Sequence, residues 1–279
     1  MKLSQLSNNK ARYTGYAIVL AGALLMFSPF YFMFVFATHT SSEIFSMPPP
    51  LWFGSAFLDN MASLMRHIPF WRNLGWSFYT ATMQTLLTLL VTSMAGYAFA
   101  MYEFRFKKAL FALALTAMLV PPFLGMIPTF MTMNLLGWIN EPRALYVPGA
   151  AAALGVFLMR QYVASAIPSE LIEAARIDGC GEFRIYWSVV LPLLGPALGT
   201  LGLISFIQAW NNFLSALVVL RSPSMYTLPL ALRILQSPTN SDWGAVMAGS
   251  AVAVLPLLVL FAFTSRRLID GLTTGAVKA

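Results

Sequence analysis

Six stretches of this 279-residue chain run almost unbroken through Leu, Val, Ala, Met and Phe, and the charged residues collect between them. The hydrocarbon core of a bilayer is about 30 Å thick and takes roughly 20 apolar residues per helix. On that measure the pattern predicts membrane-spanning helices over 15–38, 74–102, 109–136, 144–164, 193–220 and 244–264. The runs are continuously apolar and do not alternate with period two, which excludes a transmembrane β-barrel. The expected fold class is all-α, a polytopic transmembrane helical bundle over residues 15–265 with short polar ends over 1–14 and 266–279. The first run has too long an apolar core for a secretory signal, and no small-x-small cleavage site follows it. It is read as a retained helix.

Between the fourth and fifth runs lies SELIEAARIDGCGEFRIYWSVVLP, residues 169–192, in a loop covering about 165–192. Pro168 suits a first helical position, with Ser165 as an upstream capping hydroxyl. Residues 169–178 are helix-compatible and Gly179 fits a C-terminal position of positive φ. A second short helix is expected over 182–190, ended by Pro192. The first piece is roughly 15 Å long, too short to cross a bilayer. Leu171, Ala174, Ala175 and Asp178 share one side of it; Glu170, Glu173 and Ile177 share another. Paired alanines permit close approach and a neighbouring glutamate can meet a cation, the profile of a docking helix. The competing reading, a helix lying on the membrane surface, favours Lys and Arg opposite Trp or Phe. The second piece, with Arg184, Tyr186 and Trp187, fits that role better than the acidic first.

Composition strengthens the membrane reading, since 58% of residues are hydrophobic and 10% charged, against about a quarter charged in soluble domains. The net charge of +7 matters through its placement. With the N-terminus cytoplasmic, Lys2, Lys10, Arg12, Arg105, Lys107, Lys108, Arg160, Arg176, Arg184, Arg266, Arg267 and Lys278 lie inside. Arg66, Arg72, Arg143, Arg221 and Arg233 lie outside, so the split is twelve to five, the positive-inside bias. Both termini and the 169–192 module are then cytoplasmic, and orientation explains the basic excess without nucleic acid. Cys180, the single cysteine, rules out an intrachain disulfide. There is no P-loop, no G-x-S-x-G elbow and no His/Cys group with metal-ligand spacing, so no catalytic residue and no metal site is expected. None of the acids falls in mid-span, where a proton-coupled carrier keeps a titratable group.

The segment EAARIDGCGEFRIYWSVVLP resembles the EAA signature, E-A-A-x3-G-x9-I-x-L-P, of the membrane subunits of binding-protein-dependent ABC importers. Glu173, Ala174, Ala175, Gly179, Leu191 and Pro192 match at the right spacing, and Val189 replaces the usual Ile. SFIQAWNNFLSALVVL is similar to the W-N-E-F segment of the sugar-importer branch, with Asn212 in place of the acid. MYTLPLAL and GLTTGAVKA resemble that branch's Y-T-L-P-x-x-L strip and G-L-T-x-G-x-V-K-G tail, as in the smaller maltose-type membrane subunit. The resemblance implies a type I ABC importer permease fold in the bacterial inner membrane, with a cytoplasmic coupling helix. Glu170, Glu173, Ala174, Ala175, Asp178, Gly179, Leu191 and Pro192 would then couple the subunit to an ATPase. The implied partners are a second homologous permease subunit, two ATPase subunits and a periplasmic or lipid-anchored solute-binding protein. ATP would be bound and hydrolysed by the partner, leaving no cofactor in this chain, and the tail after Arg267 would lie against the ATPase dimer. The implied cargo is a di- or oligosaccharide, with glycerol-phosphate or a polyol as the alternative.

Gln84 sits near the middle of the second span, and Gln208, Asn211 and Asn212 sit beside Trp210 in the fifth. Spacing of i, i+3, i+4 sets the three amides on one helical face. Amides beside an aromatic ring suit a sugar, so these five residues are candidates for lining a solute pathway. Amides between membrane helices also simply bond a neighbour, for about 0.6 kcal/mol. Pro29, Pro121, Pro122 and Pro128 are expected to kink their spans. PPPLWFG, over 48–54, is a stiff external loop that either meets the binding protein or braces itself. A self-contained secondary carrier is the rival reading; it calls for an internal repeat and mid-membrane ionisable groups, and neither is evident.

Overall fold

The computed structural model describes residues 2–236 and 241–276, with side chains over 12–236 and 241–264; among these residues all regular structure is helical. The chain divides into two compact units, 1–68 with 232–254 and 69–231 with 255–279.

In the first unit, α1 (Lys2–Phe36) runs unbroken past Pro29. A proline inside a helix frees the carbonyl four residues back. Here that carbonyl, Leu25 O, accepts from Ser28 Oγ at 2.8 Å, so Pro29 does not end the helix. The short α2 (Ser41–Ile44) opens with a capping box, in which Thr40 and Glu43 each accept from the other's backbone N–H. These donors, the Thr40 backbone first, hold the Glu43 carboxyl below its ordinary value. In α3 (Phe57–His67), Asn60 Nδ2 donates to the carbonyls of Ala37 and His39, both at 2.9 Å. Asp242 accepts from Ser63 Oγ at 2.5 Å and caps the C-terminal helix through the Ala245 N–H at 3.0 Å. The 48–54 loop braces itself within this unit. Tyr31 donates to Leu51 O at 2.7 Å, His39 Nε2 to Trp52 O at 2.9 Å, and Gly54 N to Thr38 Oγ1 at 2.8 Å.

The second unit is built on α4 (Phe70–Met101), about 48 Å long at 1.5 Å per residue. Its buried residues include Asn73, Ser77, Thr80, Ala81, Thr88, Thr92 and Gly96, spaced by threes and fours into one stripe. Phe78, Leu86 and Leu90 face outward instead. This inverts the soluble pattern, because lipid is as apolar as leucine and membrane helices associate by close fit. Most of the threonine hydroxyls are satisfied along their own helix, whereas Thr88 donates to Gly149 O at 3.3 Å. Thr80, Thr85 and Thr92 donate to the carbonyl four residues back, at 2.8, 2.7 and 2.5 Å.

Beyond α4 come α5 (Lys107–Ala117) and α6 (Met126–Leu135), one predicted span bent by 102° around Pro121 and Pro122. Pro128 falls in the first turn of α6, where a missing N–H costs nothing, so it produces no kink. Next, α7 (Arg143–Gly149) and α8 (Ala153–Ala166) meet at 41°. The fit of α8 on α4 is close: a Cβ on Gly155 would come within 2.7 Å of Thr92 Cγ2, and one on Gly96 would strike Met159.

Then α9 (Ser169–Ile177), α10 (Glu182–Ile185) and α11 (Leu191–Leu193) lead into α12 (Gly195–Trp210) through a 79° bend. After α13 (Phe213–Val219) and α14 (Leu228–Ile234), the chain ends in α15 (Trp243–Ala276), with residues 277–279 of the expected tail outside the described residues. By length and composition this gives three straight crossings, Arg12–Phe36, Phe70–Met101 and Trp243–Thr264, and three more if each bent pair is one span. The predicted 193–220 helix is corrected twice. It is entered helically from Glu182, and it breaks at Asn211–Asn212. Pro192 does not terminate the helix as expected. Tyr186–Val190 form a π turn in which Leu191 N–H reaches back five residues to Tyr186 O, and Pro192 follows inside the helical run.

Candidate functional site

The elbow between α9 and α10 is fixed by its own backbone first. Pro168 takes the N-cap in extended conformation, while Ser165 bonds Tyr162 O and does not cap α9 as predicted. At the other end Gly179 has φ +80°, a conformation that disfavours any Cβ. Gly179 N–H reaches Arg176 O and Cys180 N–H reaches Ala175 O, both at 3.0 Å, the paired bonds of a Schellman motif. They satisfy carbonyls that the end of α9 would otherwise leave bare.

Side chains then lock the turn. Arg176 Nε donates to Glu182 Oε1 at 2.8 Å, the Tyr102 hydroxyl donates to Glu182 Oε2, and the guanidinium lies 5.7 Å over the Tyr102 ring. Those two donors, Arg176 first, hold the Glu182 carboxyl below its ordinary value; burial, then the bond to Glu182, pushes the Tyr102 hydroxyl up. Ile172 and Tyr186, 3% and 4% exposed, join Tyr97, Val163 and Ile185 in one core cluster, with Ala175, Cys180 and Leu191 packed at its edge. Tyr186 also shares a 2.7 Å hydrogen bond with Ser93 on α4. Of the second helix, expected to lie on the surface, Tyr186 is instead buried, while Glu182, Phe183, Arg184, Trp187 and Ser188 are exposed. The free face of α9 carries Glu170, Leu171, Glu173, Ala174 and Asp178, all exposed, and Ile177, 86% exposed. Pro192 is exposed as well.

The amides of the fifth predicted span do not share one helix. Gln208 is exposed on α12. Asn211 ends that helix, its Nδ2 donating to Ile207 O at 2.9 Å. Asn212 opens α13, its Oδ1 accepting from Ser215 N–H at 3.2 Å. Trp210 is buried and stacked on Phe206 at 5.6 Å. Gln84 lies against Gly149, and Gly149 also walls a cavity of about 200 Å³ lined by Asn212, Ser215 and Thr129. Of the five candidates only Asn212 is on the wall of that cavity; Gln84 reaches only the Gly149 backbone beside it, and Gln208, Asn211 and Trp210 do not line it.

Residues 89–271, from the middle of α4 through the elbow and into α15, match the family described as binding-protein-dependent transport system inner membrane component. The chain belongs to this family. The permease is 40% identical over 209 residues, 75% of each chain, to the arabinooligosaccharides transport system permease protein AraQ of Halalkalibacterium halodurans. It is 34% identical over 267 residues, 94% of this chain and 95% of the other, to the lactose transport system permease protein LacG of Rhizobium radiobacter. Its fold matches a crystal structure of a bacterial ABC transporter involved in the import of the acidic polysaccharide alginate. The TM-score is 0.80 at 21% identity, over 93% of this chain and 97% of that one. The expected all-α ABC importer permease fold is therefore the observed one, in a multi-pass membrane protein.

Sequence reasoning found the permease's exposed acids and its glycine but missed the clamp behind them. Tyr102 and Glu182 stand 80 residues apart, and neither carries a local signal of the other. The one available hint was a glutamate six residues after an arginine across a glycine turn.

Proposed function

We propose that this chain is a membrane-spanning permease subunit of an ATP-driven importer for a di- or oligosaccharide. It forms half of the translocation pathway with a second permease subunit. Two ATPase subunits bind and hydrolyse the nucleotide, and a solute-binding protein delivers the cargo. The positive-inside count supports cytoplasmic termini and a cytoplasmic elbow in a bacterial inner membrane. The sugars for which AraQ and LacG are named, arabinooligosaccharides and lactose, support the sugar class.

The observation that carries the reading is the elbow itself, a nine-residue helix that turns one side into the core and presents Glu170, Glu173, Ala174, Ile177 and Asp178 outward on a rigid support. Such a face suits a groove with a basic residue for Glu173. Leaving one partner of a desolvated charge pair uncompensated costs about 2–5 kcal/mol, enough to uncouple transport. Gentle purification should bring down an ATPase and a second permease. Glu173→Lys should insert at the normal level yet lose sugar-stimulated ATP hydrolysis and uptake; uptake retained by this variant would overturn the docking assignment.

A further inference from the structure

At the end of α4 remote from Tyr102 the second unit holds a cleft that neither the elbow nor the amides use. Arg72, Gly75, Trp76 and Tyr79 follow one another at i, i+3, i+4 and i+7 and so share a face of α4. Glu141, Arg143 and Tyr146, at the start of α7, form the opposite wall, and the space between measures about 850 Å³, within the range of roughly 300–1,000 Å³ of small-molecule sites.

Its groups are held in place. Trp76 Nε1 donates to Ser224 O at 3.1 Å, which fixes the indole. Tyr79 stands edge-on to Trp76 at 5.7 Å and to Tyr146 at 6.0 Å, so successive rings of the lining lie nearly perpendicular to one another. Arg143 is anchored by Glu141 at 3.3 Å and by the Trp138 ring at 5.2 Å. Arg72 has no ion-pair partner among the described residues. A Cβ on Gly75 would meet nothing within 4 Å, so the floor is open for want of a side chain.

We propose that this cleft is a sugar-binding site of the permease, the place that receives solute before it reaches the interior; the inference rests on the sugar reading above. Aromatic faces cover the C–H face of a pyranose or furanose ring, while a guanidinium fork and a carboxylate bond neighbouring hydroxyls. The Glu141–Arg143 pair is neutral together, and Arg72 adds one cation, which suits a neutral or singly acidic sugar. A phospholipid headgroup fits less well, because its phosphate would meet the Glu141 carboxylate.

The test uses the intact importer in proteoliposomes with saturating sugar-loaded binding protein, lactose and arabinotriose as probes, and the number of sugars imported per ATP hydrolysed as readout. Gly75→Leu fills the cleft and is expected to lower that ratio about tenfold, and Arg72→Gln about threefold, with Gly75→Ala near wild type. Copurification of the other subunits reports correct assembly of each variant. An unchanged ratio in both Gly75→Leu and Arg72→Gln overturns the proposal. So does a weaker affinity for the binding protein at an unchanged ratio, which would make the cleft a protein contact. A ratio that follows the anionic lipid content and ignores the substitutions would make it a headgroup site and overturn it too. Failure of the wild-type importer to move either probe would instead strike the sugar reading itself.

Discussion

The permease breaks its helical path in two ways, at the 178–181 elbow and at Asn211–Asn212. At the elbow the turn is held by bonds that leave the segment: Glu182 to Tyr102 across 80 residues, Tyr186 to Ser93 across 93. At the asparagines every bond is local, Asn211 to Ile207 and Asn212 to Ser215. The helix before that break buries Phe206 and Trp210 in one cluster, and the helix after it buries Ala216 and Val219 in another. The asparagines therefore let two segments settle independently, while the elbow ties a surface helix to α4. A turn made by glycine and cross-linked at a distance is tied to the rest of its unit; a turn made by caps is held only by its own neighbours.

Gly179 is where this contrast breaks first. Gly179→Val puts a β-branched residue at φ +80°, a conformation costing about 1–2 kcal/mol or more, and uptake should fall about tenfold while the subunit still inserts. Normal uptake would mean that the angle of the elbow is irrelevant. Tyr186→Phe comes next. It removes the elbow's tie to Ser93, should lower the melting temperature by the equivalent of about 1.5 kcal/mol, and should weaken coupling of ATP hydrolysis to uptake. Asn212→Ala sharpens the other side. Loss of a cap costs about 1 kcal/mol, yet the ATPase should copurify unchanged; its loss would show this break to be as widely connected as the elbow.

The smallest effect is in pH. The Glu182 carboxyl titrates below its ordinary 4.5 in the folded protein. Its ion pair with Arg176 therefore stabilises fully above that value and is lost as pH falls through the lower, folded one. The melting-temperature gap between wild type and Glu182→Gln should be flat from about pH 8 to about pH 5 and shrink in stronger acid. A gap that widens there has the wrong sign for this pair.

How much of this was legible follows from range. Gly179 announces its conformation by lacking a Cβ, and the acids of α9 announce exposure by charge. Three of the six apolar runs became single helices long enough to cross, because length alone decides them, and the other three became bent pairs whose angles no apolar count announces. The Asn211–Asn212 break was hidden because asparagine inside an apolar run reads equally as a cap or as a polar lining, and the π turn was hidden because Pro192 normally stops a helix. The buried face of α4 was hidden for a different reason: Thr88, Thr92 and Gly96 look like surface residues to any rule calibrated in water.

That face has a mechanical consequence. Among the described residues no side-chain hydrogen bond joins α4 to α8; Thr80, Thr85 and Thr92 are satisfied along their own helix, Thr88 bonds Gly149 O on α7, and contact with α8 rests on shape around Gly96 and Gly155. Such a joint behaves as a dry bearing. Its grip is steric alone: a side chain added at Gly96 or Gly155 would wedge the two rods apart, and no side-chain hydrogen bond among the described residues spans the gap to hold them.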